Sequence, residues 1–262
     1  MFLNLVRGSL IRLAKNRALP SSVLGALVIS IIFIATLRGG AVFTYVDDEL
    51  IGTILAPNAM VMFNILGSLI SGVVSLISTA FFVSDYYRYR LAINIEGSVR
   101  SRVKLTLSEI TALFIWMLLW TLMVATLGIG LIVLVYGASV VQCSFIRLLI
   151  LAVIRSMQVF LTCMEVLVIA KIVRRATITL AVFVAYSVVY MIIDSIVVAV
   201  LDENIGLTVS ALILPGSYLS MVYSNIELPS IGEVMPMFVS YGVIIFILST
   251  LACVASCRKD RI

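Results

Sequence analysis

Fifteen of the eighteen Lys and Arg residues fall on alternate segments of a chain that six long apolar runs divide into seven connecting pieces. The first, third, fifth and seventh pieces are basic; those between them are acidic or nearly uncharged. Nothing in a water-soluble fold calls for such alternation. A bilayer does, because short Lys/Arg-rich loops stay on the cytoplasmic side. The pattern predicts six membrane spans with both termini in the cytoplasm. Composition agrees: 63% of the 262 residues are hydrophobic and 12% charged, whereas soluble domains are about half apolar and a quarter charged. Six helices of about 20 residues use roughly half the chain. The remainder suffices for loops and short helices, not for a separate soluble catalytic domain. The basic residues are juxtamembrane, so they suit orientation and contact with anionic lipid rather than nucleic acid.

The chain has no histidine, which excludes Ser-His-Asp and Cys-His catalysis and histidine-ligated haem or zinc. Cys143, Cys163, Cys253 and Cys257 form no CxxC pair and read as small hydrophobes rather than ligands. No GxxxxGK(S/T) run is present to cradle nucleotide phosphates, and there is no GxSxG elbow. The chain is therefore expected not to be an enzyme by itself and to bind no metal or cofactor.

Along the chain, Phe2, Leu3, Leu5, Val6, Leu10, Ile11 and Leu13 recur at helical spacing among Arg7, Arg12, Lys15 and Arg17. This predicts an amphipathic helix over residues 1–19, lying in the membrane interface. The spans are predicted at Ser21–Leu37, Met60–Val83, Leu107–Tyr136, Phe145–Ala170, Thr177–Val200 and Pro236–Cys257. Span 2 carries Gly67, Ser68, Ser71, Gly72, Ser75 and Ser78. A small, lightly polar face of this kind packs closely against a neighbour; lining a pathway is the alternative. Residues 84–106 form the most charged cytoplasmic connection. Leu91, Ile93, Ile95 and Val99 give it the apolar surface of a short helix, and Gly97-Ser98 offers a stop and a new N-cap. Lys171, Arg174 and Arg175 form the second cytoplasmic loop. The extracellular segment 201–235 contains an apolar run, Leu207–Leu214, broken by Pro215-Gly216; it predicts a re-entrant or interfacial hairpin before the last span.

Ionisable residues lie deep inside two predicted spans: Arg155 and Glu165 in span 4 and Asp194 in span 5. Each costs roughly 2.5–3.5 kcal/mol at a helix centre on insertion scales, so such residues normally face protein or water. Glu165 is near enough to the cytoplasmic end to meet Lys171 or Arg174, and Asp194 near enough to the outer end to reach water. Arg155 is expected to face an inter-helix or inter-subunit cavity and meet a carboxylate there.

The stretch from Asp85 through Asn94, Ser101, Arg102, Lys104 and Ser108, taken with the six-span layout, the amphipathic start and the apolar hairpin before span 6, resembles the ABC-2-type permeases, membrane subunits of many bacterial ABC exporters. Arg90 stands at a usual glycine of that pattern, Ile93 at a usual lysine and Glu109 at a common lysine, and Gly97 is displaced. The compact size resembles the lantibiotic-immunity and peptide-export subgroup. The resemblance implies an all-α integral membrane protein of the bacterial plasma membrane, paired with a second permease copy or a homologous permease. It implies a separate ATP-binding cassette subunit that holds ATP and Mg. That subunit would grip a coupling helix from Arg90 to Glu96, through Arg90, Leu91, Ile93, Asn94, Ile95 and Glu96, with Arg102 beyond the helix also taking part in the coupling. A hydrophobic or amphipathic peptide, drug or lipid would be moved outward. Two alternatives stand beside this reading: a secondary transporter, which often shows repeats and broken helices, and a membrane binding or immunity protein without transport.

Overall fold

In a computed structural model, the residues described are 2–16, 24, 28, 43–46, 49–53, 72–88, 101–136, 145–200 and 231–257. Among the described residues six helices carry the architecture: α1 (Phe2–Ala14), α2 (Gly72–Arg88), α3 (Arg102–Tyr136), α4 (Phe145–Val173), α5 (Ala176–Val200) and α6 (Ile231–Cys257). A short antiparallel hairpin, β1 (Phe43–Val46) and β2 (Glu49–Thr53), occupies part of the first predicted outer loop, an addition to the all-helical expectation. Among the described residues three stretches, Arg102–Val124, Ser156–Val173 and Phe238–Cys257, are long and apolar enough to cross a membrane. Predicted span 1 lies outside the described residues except Leu24 and Val28, as does the start of span 2. The apolar hairpin of 207–214 and Cys143 also lie outside them.

α4 is the centre of the bundle. It packs against α2, α3, α5 and α6, while α1 lies on α3 and α2. Its second half is accordingly buried on most of its circumference, at Val159, Phe160, Leu161, Cys163, Met164, Val166, Leu167 and Ala170. The main core joins Val159, Phe160, Cys163, Met164, Leu167 and Ala170 to Leu113 and Met117 of α3, Phe82 and Val83 of α2, and Val6 and Leu13 of α1. Phe114 meets Phe160 edge-on at 5.2 Å between centroids, and Cys163 Sγ lies 3.8 Å from Met117 Sδ. Ser75, Ser78, Thr79 and Ala80 are buried in α2, so within the described part the small face of span 2 packs against protein.

The surface is as informative as the core. α5 exposes Val184, Val188, Ile192, Ile193 and Ile196, and α6 exposes Val239, Val243, Phe246 and Ile247. Apolar faces of this kind are compatible with lipid contact. Hydroxyls on the helices turn inward to their own backbone: Thr79, Thr111, Thr162, Ser187 and Thr250 each donate to the carbonyl four residues earlier. That arrangement satisfies a hydroxyl where no water is available.

Helix ends explain the connections. Ser101 caps α3, its Oγ accepting the Lys104 N–H at 3.4 Å and its carbonyl accepting the first backbone bond, from Leu105. The Gly97-Ser98 stop and N-cap expected from sequence lie outside the described residues. α2 continues through Ser84 and Asp85 to Arg88, and α3 begins at Arg102, so the expected 84–106 connection shrinks at both ends. α4 and α5 are joined by Arg174 and Arg175 alone. Arg174 takes φ 64° and bonds back to the Ala170 carbonyl, the left-handed stop that usually falls to glycine. α6 starts five residues before Pro236.

Candidate functional site

The C-terminal ends of α2, α4 and α6 and the N-terminal ends of α3 and α5 meet at one end of the bundle, with α1 beside them. Tyr86 of α2 packs on Leu105 of α3, the Arg174 guanidinium lies 4.6 Å above the Tyr87 ring, and Arg102 Nη1 reaches the Ser256 carbonyl at 3.4 Å. Arg12, Arg102, Lys104, Lys171, Arg174 and Arg175 therefore share this end. Arg147 and Arg155 lie on the opposite half of α4.

At the heart of this basic end is a buried polar cluster that draws on four helices. Glu109 of α3 is 4% exposed. Its Oε2 accepts from Lys171 Nζ of α4 at 2.8 Å, and its Oε1 accepts from Arg12 Nη2 of α1 at 3.1 Å. The Lys171 ammonium uses its remaining two N–H groups on Thr106 Oγ1 at 3.2 Å and Ser256 Oγ at 3.1 Å. All three of its donors are thus satisfied. Thr106 also donates to Ser256 Oγ at 3.1 Å, which brings in α6. Two cations thus share one carboxylate. The surplus charge lies on Arg12, whose guanidinium sits 4.7 Å above the Phe82 ring and 5.0 Å above the Tyr86 ring. Cation–π attraction contributes about 0.5–2 kcal/mol in such settings.

α1 is clamped along its length. Leu5 packs at the level of Tyr86 and Leu105, Arg12 reaches Glu109, and Asn16 Nδ2 donates to the Ser78 carbonyl at 2.9 Å. Its contacts thus step back along α2 from Tyr86 to Ser78, about 12 Å of helix. Val6, Ser9 and Leu13 face protein, while Phe2, Leu3 and Ile11 stay exposed.

Two expectations are corrected here. Lys171 is not a loop cation; it is buried in α4. Nor does Glu165 meet Lys171 or Arg174. Residues six apart on a helix point about 120° away from each other, Lys171 turns to Glu109, and Arg174 stacks on Tyr87. Glu165 is half-buried and makes no ion pair among the described residues. Arg155 and Asp194 lie in α4 and α5, with side chains outside those described. Arg90, Leu91, Ile93, Asn94, Ile95 and Glu96 lie outside the described residues; Arg102 opens α3 at the basic end. The sequence reading passed over Arg12, Glu109 and Lys171 as a set. Its available signal was Glu109 itself, a carboxylate inside the first turns of an apolar helix.

No protein-family model matches this chain, and no curated protein is significantly similar to it.

Proposed function

We propose that this chain is the membrane-spanning permease subunit of an ABC exporter of the ABC-2 type, with six spans and both termini in the cytoplasm of a bacterial cell. It moves a hydrophobic or amphipathic solute outward, using ATP and Mg held by a separate ATP-binding cassette subunit, and it pairs with a second permease copy or a homologous permease. The chain performs no hydrolysis itself.

The observation that carries this reading is where the 89–100 connection leaves and re-enters the bundle. α2 ends at Arg88 and α3 begins at Arg102, both at the basic end, and α3 is tied there to α1, α4 and α6 through Glu109, Thr106 and Lys171. A push on that connection enters a helix that cannot move without its neighbours. This is what a rigid lever needs, and it favours a coupling helix over a loose loop.

Ile93 and Ile95 supply the apolar grip of that helix in this reading. Replacing both by Asp, with membrane insertion checked, should abolish co-purification of the ATP-binding cassette subunit when the two are co-expressed. Undiminished association would remove the coupling role.

A further inference from the structure

A cavity of ≈ 430 Å³ opens at the basic end, between the last turns of α2 and the α4–α5 turn. Arg174 and Arg175 line one side, and Ser84, Asp85 and Tyr87 the other, with Thr177 at the start of α5. Two guanidiniums face one carboxylate, so the cavity is net cationic. Asp85 is itself partnered. Arg174 stacks on Tyr87, its Nε is buried with no hydrogen-bond partner among the described residues, and Arg175 is exposed.

The surface leading away from the cavity is apolar. From Thr177 the same face of α5 carries Ala181, Val184, Val188 and Ile192, and the last three are 60%, 51% and 55% exposed. This row is about 22 Å long, more than the roughly 15 Å that one leaflet contributes to a 30 Å hydrocarbon core. A cationic, hydroxyl-bearing cup at the head of a leaflet-long apolar strip has the shape and charge of one molecule type.

We infer that this cavity is a binding site for an anionic phospholipid. The phosphate lies between Arg174 and Arg175 with Ser84 and Thr177 as hydroxyl donors, and the acyl chains run along the Thr177–Ile192 strip. Basic pockets at the cytoplasmic ends of membrane helices hold anionic headgroups in this way. The site rests on the membrane reading of the chain, not on its coupling to an ATPase.

The test is native mass spectrometry of the purified chain in neutral detergent, titrated with phosphatidylglycerol, with phosphatidylcholine and with inorganic phosphate. Phosphatidylglycerol should be retained over phosphatidylcholine. R175Q should weaken it about fivefold, the loss expected per surface arginine. R174G/R175Q, which keeps a residue suited to the left-handed turn, should abolish the preference, and K15Q on α1 should leave it intact. Should the double variant fail to fold, R175Q carries the test, because its side chain is exposed. Equal retention of both lipids, an equal loss in K15Q, or displacement of the lipid by millimolar inorganic phosphate would overturn the site. Failure of the membrane reading would look different: the chain would leave the membrane fraction without detergent, before any lipid was added.

Discussion

Lys171 Nζ lies 2.8 Å from Glu109 Oε2, on antiparallel neighbouring helices, with side chains 6% and 5% exposed. The pair fixes α4 to α3 at the end where the basic residues gather. Through Arg12 and Ser256 it also fixes α1 and α6. Because one carboxylate serves two cations, the three residues respond very differently to removal.

Glu109→Ala leaves Lys171 buried without a counter-charge. Truncating one partner of a buried pair costs about 3–5 kcal/mol, so thermal unfolding in detergent should shift sharply downward. Glu109→Gln combined with Lys171→Met should cost clearly less than the two single changes summed, because the second removes the ion that the first strands. Strict additivity would mean that the pair does not interact.

Arg12 is more exposed, at 21%, and its loss leaves the Glu109–Lys171 pair in place. Arg12→Ala should therefore lower global stability less than Glu109→Ala while loosening α1. Hydrogen exchange should rise across residues 2–16 and stay unchanged in the second half of α4. A uniform rise in both would contradict a local clamp.

Ser78 is 0% exposed, and its hydroxyl has no hydrogen-bond partner among the described residues. Ser78→Ala should be near neutral or stabilising, since it removes an unmet polar group. Ser78→Leu should cost about 1–3 kcal/mol by overpacking. Denaturation of the two variants separates a packing face from a water-lined one, where leucine would be tolerated.

Local pattern made the helices legible, and pairing between helices was not. The periodicity of Phe2 to Leu13 gave α1, and the apolar runs gave α4 and α5 to within a few residues. The ends moved where a cap decided them. Ser101 lies in a polar, charged stretch, and its bonds to the Lys104 and Leu105 N–H groups mark it as a cap. Lys171 was read with Arg174 and Arg175 because it stands beside them in sequence. Its partner is 62 positions away on another helix, and periodicity carries no information about that choice. Glu109 lies between Arg12 and Lys171, where a third cation would have no counter-ion.

The most direct test of the account is the side of the membrane on which the 89–100 connection lies. A single cysteine at Ser98, in a chain lacking Cys143, Cys163, Cys253 and Cys257, can be probed with a membrane-impermeant maleimide. The account predicts no labelling in intact cells and full labelling once the membrane is permeabilised. Labelling of intact cells would put the basic end outside and contradict it.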